Sequence, residues 1–194
     1  MTEMKAGLPV LSFPDADALE AWLGFNPEAP GLWIKFAKKK ADVLPTLDKS
    51  SALDVALCHG WIDGQAATYD EGHFLMRFTP RRARSLWSQV NRVHVDRLVS
   101  EGRMLPGGLA QVEAAKADGR WEAAYASPSR IGVPDDVAMA LSVNGTAHAA
   151  FEALGRSKRY DLLLPIVTVK RPDTRARKIA ALVAALAESA TEGE

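Results

Sequence analysis

The chain has 194 residues, with 24 basic and 24 acidic side chains, so its formal net charge is zero and its surface as a whole is not built to coat nucleic acid or an anionic membrane. Its 47% hydrophobic and 25% charged residues are ordinary for a globular chain long enough to bury a core. A single cysteine, Cys58, excludes an intramolecular disulfide and a Cys-rich zinc site, and suits a reducing cytoplasm.

Residues 1–7 carry no apolar run of signal-peptide type and read as frayed. No stretch approaches the roughly 18 apolar residues of a membrane span. The expectation is a soluble cytoplasmic protein without a membrane span. Leu8 to Phe13 reads as a short strand. A helix follows, capped by Asp15 or Asp17, with Leu19, Trp22 and Leu23 on its apolar face. Gly31 to Lys38 alternates as a strand, with Leu32, Ile34 and Phe36 on one face and Trp33 and Lys35 on the other. Ser50 or Ser51 caps a helix through Cys58 that turns Leu53, Ala56 and Leu57 inward.

Trp61 to Tyr69 and His73 to Thr79 form a hairpin around Asp70-Glu71-Gly72. A three-residue loop closing on Gly predicts a type I turn plus a bulge. That register opposes Tyr69 to His73, Gln65 to Arg77 and Asp63 to Thr79. It gathers Ile62, Ala66, Phe74, Met76 and Phe78 on the other face. Ser85 caps a helix to about Glu101, with Leu86, Val90, Val93 and Leu98 as its stripe. Pro106 to Ala117 is a further helix, closed by Gly119, after which Trp121 and Tyr125 dock onto the core. Ser127 to Val133 is the linker. Helices follow at Pro134 to Leu141, Thr146 to Leu154 and Ser157 to about Val169, the last kinked or broken at Pro165. Asp173 or Thr174 caps the final helix, with Ile179, Leu182, Val183 and Leu186 inward and a tail fraying from Ser189. The fold class is α+β: a small antiparallel sheet with its hairpin packed on helices over residues 1–126, then a helical region over 134–190.

The hairpin and the helix after it hold the densest polar chemistry. Asp63, Gln65, Arg77 and Thr79 share one face of the predicted register, a platform with donors and acceptors or a solvated sheet face with one cross-strand ion pair. Arg81, Arg82 and Arg84 stand before the predicted helix N-terminus, where free N–H groups already favour an anion. Either an internal carboxylate such as Asp54 or Asp63 answers them, or a bound anion does. Trp87 and Asn91 share the adjoining helical face as an apolar wall and a polar group. The candidate ligand-binding set is therefore Asp63, Gln65, Arg77, Thr79, Arg81, Arg82, Trp87 and Asn91.

Catalytic signals are sparse. Cys58 and His59 are sequence neighbours and splay about 100° apart on a helix, so they form no dyad with each other. The four histidines show no metal-site spacing, and no phosphate loop, nucleophile elbow or dinucleotide fingerprint occurs. No cofactor and no metal is expected. Residues 151–178 carry eight cations against three acids, a solvated helical face or a nucleic-acid contact, with only Phe151 and Tyr160 present for base stacking.

Gly60-Trp-Ile-Asp-Gly-Gln65, Arg77-Phe-Thr-Pro-Arg-Arg82, Trp87-Ser88, Asn91 and Glu101-Gly-Arg-Met104 resemble the YdeI/OmpD-associated, or bacteriocin-protection, family. Ser157-Lys-Arg-Tyr160 and Lys170-Arg-Pro-Asp-Thr-Arg175 fit its tail. The resemblance implies a part in resistance to antimicrobial peptides and bacteriocins, and an envelope partner such as a porin, with no assigned reaction. The functional expectation is a non-enzymatic protein that holds an anionic or polar small ligand, or a partner peptide, between hairpin and helix. An enzyme using Asp63 or His59 as general base in the same groove is one alternative. A nucleic-acid binder working through the C-terminal basic helices is the other.

Overall fold

The computed structural model describes residues 2–39, 41–44, 46–126 and 130–191, omitting the side chains of residues 190 and 191. Its class is α+β with a helical C-terminal half. Two compact units form: Met1–Trp87 with Asn91–Ala123, and Ser88–Val90 with Ala124–Glu194.

The first unit is built from β1 (Met4–Lys5), β2 (Leu8–Leu11), α1 (Ala16–Phe25), β3 (Leu32–Ala37), α2 (Lys49–Cys58), β4 (Trp61–Thr68), β5 (His73–Pro80), α3 (Gln89–Ser100) and α4 (Pro106–Ala117). The strand order is β1-β2-β3-β5-β4. The sheet is mixed, which corrects the expectation of an antiparallel one. β2 and β3 run parallel, with Val10 opposite Trp33, because α1 crosses between them. Residues expected to fray instead form β1, which turns back onto β2 through Ala6 and Gly7 at φ 49° and 77°. Two successive positive φ values match the turn that a right-twisted hairpin prefers.

The alternation read in β3 holds. Leu32, Ile34 and Phe36 enter the main core with Leu19 and Leu23 of α1, Val55 and Ala56 of α2, and Phe78 of β5. Trp33 faces the other way, yet it is 3% exposed. It packs with Val10 and Leu75, and its indole N–H donates to the Lys5 carbonyl at 3.1 Å. This sheet is therefore buried on both faces at its centre, which is why its strands read as near-continuous apolar runs.

Helix α2 starts one residue after Asp48, not at Ser50 or Ser51. The Asp48 carboxylate accepts from the Ser50 and Ser51 amides at 2.8 and 3.0 Å and closes two of the open donors. Its C-terminal end meets the start of α4 at backbone contact. A Cβ on Gly108 would lie 2.4 Å from the Cys58 carbonyl oxygen, so only glycine fits there.

Helix α3 begins at Gln89, three residues later than the Leu86 start that a Ser85 cap implies. Of the predicted stripe only Leu98 is buried; Leu86, Val90 and Val93 are 46%, 44% and 68% exposed. The buried face is Asn91, Val95 and Leu98, an i, i+4, i+7 set that shares only Leu98 with the aliphatic stripe.

The second unit contains α5 (Asp135–Ser142), α6 (Gly145–Ala153), α7 (Arg156–Val167) and α8 (Pro172–Thr191). Val137, Leu141, Phe151, Leu163, Ile166 and Leu182 make its core. Pro165 lies inside α7 without ending it, since the helix runs on to Val167. Helix α8 starts at Pro172, a residue suited to the first helical position because it has no N–H to leave open. It runs to Thr191, so the expected fraying at Ser189 does not occur within the described residues. Of the predicted linker, residues 127–129 lie outside the described set. Among the described residues, no helix is long and apolar enough to cross a membrane.

Candidate functional site

The hairpin keeps the predicted register only near its tip. Thr68 faces Phe74 and Ala66 faces Met76, but beyond a bulge Asp63 pairs with Phe78 and Ile62 with Thr79. The two residues between Asp63 and Ala66 are Gly64 and Gln65, and one extra residue there rotates the rest of β4 by one position. A slip of one residue sends each side chain to the opposite face. Asp63 therefore shares the Phe78 side of the sheet, where its carboxylate stands 3.8 Å from the Lys49 ammonium. Arg77 lies opposite Trp33 on the other side, and Thr79 and Ile62 follow it there. Gln65 is exposed beside the bulge. The predicted platform of Asp63, Gln65, Arg77 and Thr79 is divided between two faces, and the expected Asp63–Arg77 ion pair does not form.

Arg81, Trp87 and Asn91 are buried, and Arg82 is exposed. Because α3 starts at Gln89, the arginines do not stand at its N-terminus and the dipole argument for an anion there falls away. Arg81 instead lies flat over Trp87, with its guanidinium carbon 3.5 Å from the ring centroid, and donates to the Leu86 carbonyl at 3.1 Å. Trp87 meets Trp121 edge to face at 4.9 Å. Arg92 covers Trp121 and donates to its carbonyl at 2.9 Å, and Arg120 joins Asp118 to the Ser85 carbonyl. These cations and indoles form a solid packed cluster.

The groups considered for catalysis are also separated. Asp63 engages Lys49 at the start of α2, whereas His59 caps its other end. Burial pushes the His59 imidazole below its ordinary pKa, and burial likewise pushes the Cys58 thiol up. An uncharged imidazole and a protonated thiol are ordinary core behaviour. Asp54, one helical turn before Cys58, pairs with Arg97, an arginine outside the Arg81–Arg84 run that it was expected to answer. It accepts from Arg97 Nη2 at 2.5 Å, and its other oxygen lies 2.6 Å from His94 Nδ1. This triad ties α2 to α3. In the second unit, Arg175 forms a forked pair with Asp136 at 2.6 and 2.9 Å, and Arg159 is held by Glu152. Two of the eight basic residues noted there are thus satisfied internally.

Open space lies elsewhere in the first unit. A cavity of about 500 Å³ sits between the sheet and the start of α2. Its floor is Phe36 on β3 and Phe74 on β5, stacked at 5.4 Å, and Ala37, Ala41, Val43 and Leu47 extend the apolar wall. Lys38, Lys39 and Lys49 stand at its rim with Asp48. Lys38 bonds the Asp70 and Glu71 carbonyls at 2.8 and 3.2 Å and so pins the hairpin tip to the loop after β3. Gly72 makes room at that tip, since a Cβ there would come within 2.7 Å of the Val43 side chain. Asp70 closes the turn by accepting from the Gly72 and His73 amides, and Gly72 does not adopt the positive φ expected of it. A second cavity of about 500 Å³ flanks the same loop and shares Val43 and Thr46 as walls, with Lys35 and His73 also lining it.

None of these lysines belongs to the residue set derived from the sequence. The available signal was the Lys38-Lys39-Lys40 run directly after a strand that ends on an aromatic face.

A family model described as a domain of unknown function, DUF8412, matches residues 11–111, just over half of the chain. A second, described as bacteriocin-protection, YdeI or OmpD-associated, matches residues 130–189. The chain belongs to the DUF8412 family, and its C-terminal part carries the YdeI/OmpD-associated domain. No curated protein and no solved structure matches it. The cavity and the bulged hairpin lie within the DUF8412 match, and so do the central motifs from Gly60 to Met104. Ser157 to Tyr160 and Lys170 to Arg175 lie within the YdeI/OmpD-associated match.

Proposed function

We propose that the protein is a binding protein of the bacteriocin-protection type whose DUF8412 unit holds an anionic small ligand in the cavity between the hairpin and α2. The observation that carries this reading is the cavity itself, with a stacked Phe36–Phe74 floor under a rim of three lysines. A concave, mostly apolar space of this volume with a few charged groups at its mouth is the usual form of a small-ligand site. The family description of residues 130–189 supports a protective role, and the lining of the cavity supports this location.

Lysine is suited to the task because its ammonium is a compact charge on a flexible stem and meets an anion without demanding a fixed planar geometry. Lys39 is exposed and extends from the loop after β3, while Lys49 opens α2 and keeps only the longer contact with Asp63. The expected hairpin–helix groove thus has a counterpart formed by the same hairpin and a different helix.

A thermal-shift comparison tests the reading. The native protein and the Lys39→Glu/Lys49→Gln double variant are exposed to acetate, benzoate, octanoate and inorganic phosphate. At least one anion is expected to raise the melting temperature of the native protein and to leave the variant unmoved. No shift with any anion, or the same shift in both proteins, contradicts the reading.

A further inference from the structure

We infer that the ligand of this cavity is a monoanionic amphiphile, with one carboxylate or similar singly charged head among the lysines and an unbranched apolar chain over the phenylalanine floor. The inference rests on the reading given above and narrows it to a chemical class.

The lining sets the apolar part. Phe36, Ala37, Ala41, Val43, Leu47 and Phe74 outnumber the polar groups and occupy the interior. A compact polar anion such as phosphate touches the lysines and leaves this surface wet. A chain covers it and releases the water. Among the described residues of the wall the one hydrogen-bonding side chain is that of Thr46, and its hydroxyl is already engaged. It accepts from the Ala37 amide at 2.9 Å and donates towards the Leu47 carbonyl at 3.4 Å. A ligand body with its own polar groups finds no partners there, and burying unpaired polar groups is costly.

The rim sets the charge. Among the described residues it offers ammonium groups and no guanidinium, the forked donor that selects phosphate and planar dianions. Asp48 stands at the same rim. Its carboxylate is held ionised by the Ser51 hydroxyl at 2.6 Å and by the Ser50 and Ser51 amides, which lower its pKa. A head with two negative charges meets that carboxylate, whereas a single charge can sit on the lysine side of it.

The loop sets the length. Val43 and Thr46 are walls of both cavities, so apolar surface continues past the first cavity to Phe13, Pro14 and Leu44 of the second. Leu44 is 86% exposed and Val43 37%, an uncovered apolar edge where a chain leaving the first cavity gains further contact.

Calorimetric titration of the full chain with butanoate, hexanoate, octanoate and decanoate tests the inference, with decan-1-ol and inorganic phosphate as comparators. Affinity is expected to rise up to about fourfold per added methylene. Decan-1-ol is expected to bind more weakly than decanoate. Lys39→Glu/Lys49→Gln is expected to weaken every acid by a similar factor while the chain-length slope persists. Phe74→Ala, checked for native circular dichroism, is expected to flatten that slope. Acids that bind with no dependence on chain length overturn the amphiphile and leave the anion site standing. Decan-1-ol binding as tightly as decanoate, or phosphate binding more tightly than octanoate, overturns the monoanionic head. No binding of any anion removes both the inference and the reading beneath it.

Discussion

Two regions of the first unit combine aromatic rings with cations, and they do opposite things with them. Around Trp87 the cations lie on the rings: Arg81 covers Trp87 at 3.5 Å, and Arg92 covers Trp121 at 5.1 Å. The space is filled, and Trp87 is only 2% exposed. Around Phe36 and Phe74 the rings stack on each other, while Lys39 and Lys49 stay at the rim and leave about 500 Å³ between. The same ingredients give a structural cluster where arginines lie over the rings, and an open cavity where lysines stand apart from them. Residue type alone does not tell the two apart.

The contrast breaks most readily at Trp87. If that cluster is structural, Trp87→Ala costs about 3–5 kcal/mol of unfolding free energy, because a filled site loses its largest side chain. Denaturant melting measures it, and a cost below 1 kcal/mol would show a loose site. Asp54→Ala is next. It leaves His94 and Arg97 without their carboxylate and is expected to cost about 1–3 kcal/mol, towards the lower end because Arg97 is 41% exposed and regains water.

Asp48 links the cavity rim to stability, and Asp48→Ala is expected to cost about 1 kcal/mol through the lost cap. Its folded pKa lies below the ordinary carboxylate value, led by the Ser51 hydroxyl bond. The sign follows from linkage. Its contribution is complete above about pH 4, the unfolded value, and is lost as pH falls through the lower folded value. Asp48→Asn, which still caps but does not titrate, is expected to lose less stability than the native chain as pH falls below about 4. An identical acid limb in both proteins would contradict the assigned cause. The smallest effect belongs to Lys39→Glu/Lys49→Gln, expected to change stability by no more than about 0.5 kcal/mol because both side chains are exposed. A large loss there would make the lysines structural and erase the contrast with Trp87.

Periodic features were legible in the sequence. The β3 alternation located Leu32, Ile34 and Phe36, and the spacing in α8 located Ile179, Leu182 and Leu186, because each pattern repeats along one element. The hairpin tip was legible for the same reason. The bulge was not, since the polar residues alternate on both sides of it and one added residue leaves each half plausible. Gly64 was its one local mark, as glycine inside a strand often signals a bulge. The α3 boundary was lost because Ser85 is a good cap in isolation. Its hydroxyl instead accepts from the Arg82 amide at 2.9 Å and closes a turn. Beyond the lysine run after β3, the cavity was not legible. Its walls come from β3, the following loop, α2 and β5, and no period relates them.

The cavity under Lys39 and Lys49 is the proposed ligand site. Titrating octanoate into the isotope-labelled full chain and following its amide resonances addresses it most directly. Shifts are expected at Phe36 to Lys49 and around Phe74, with Arg81 to His94 and the C-terminal helices unmoved. Shifts centred on Arg81, Trp87 and Asn91, with the Phe36 region silent, would contradict it.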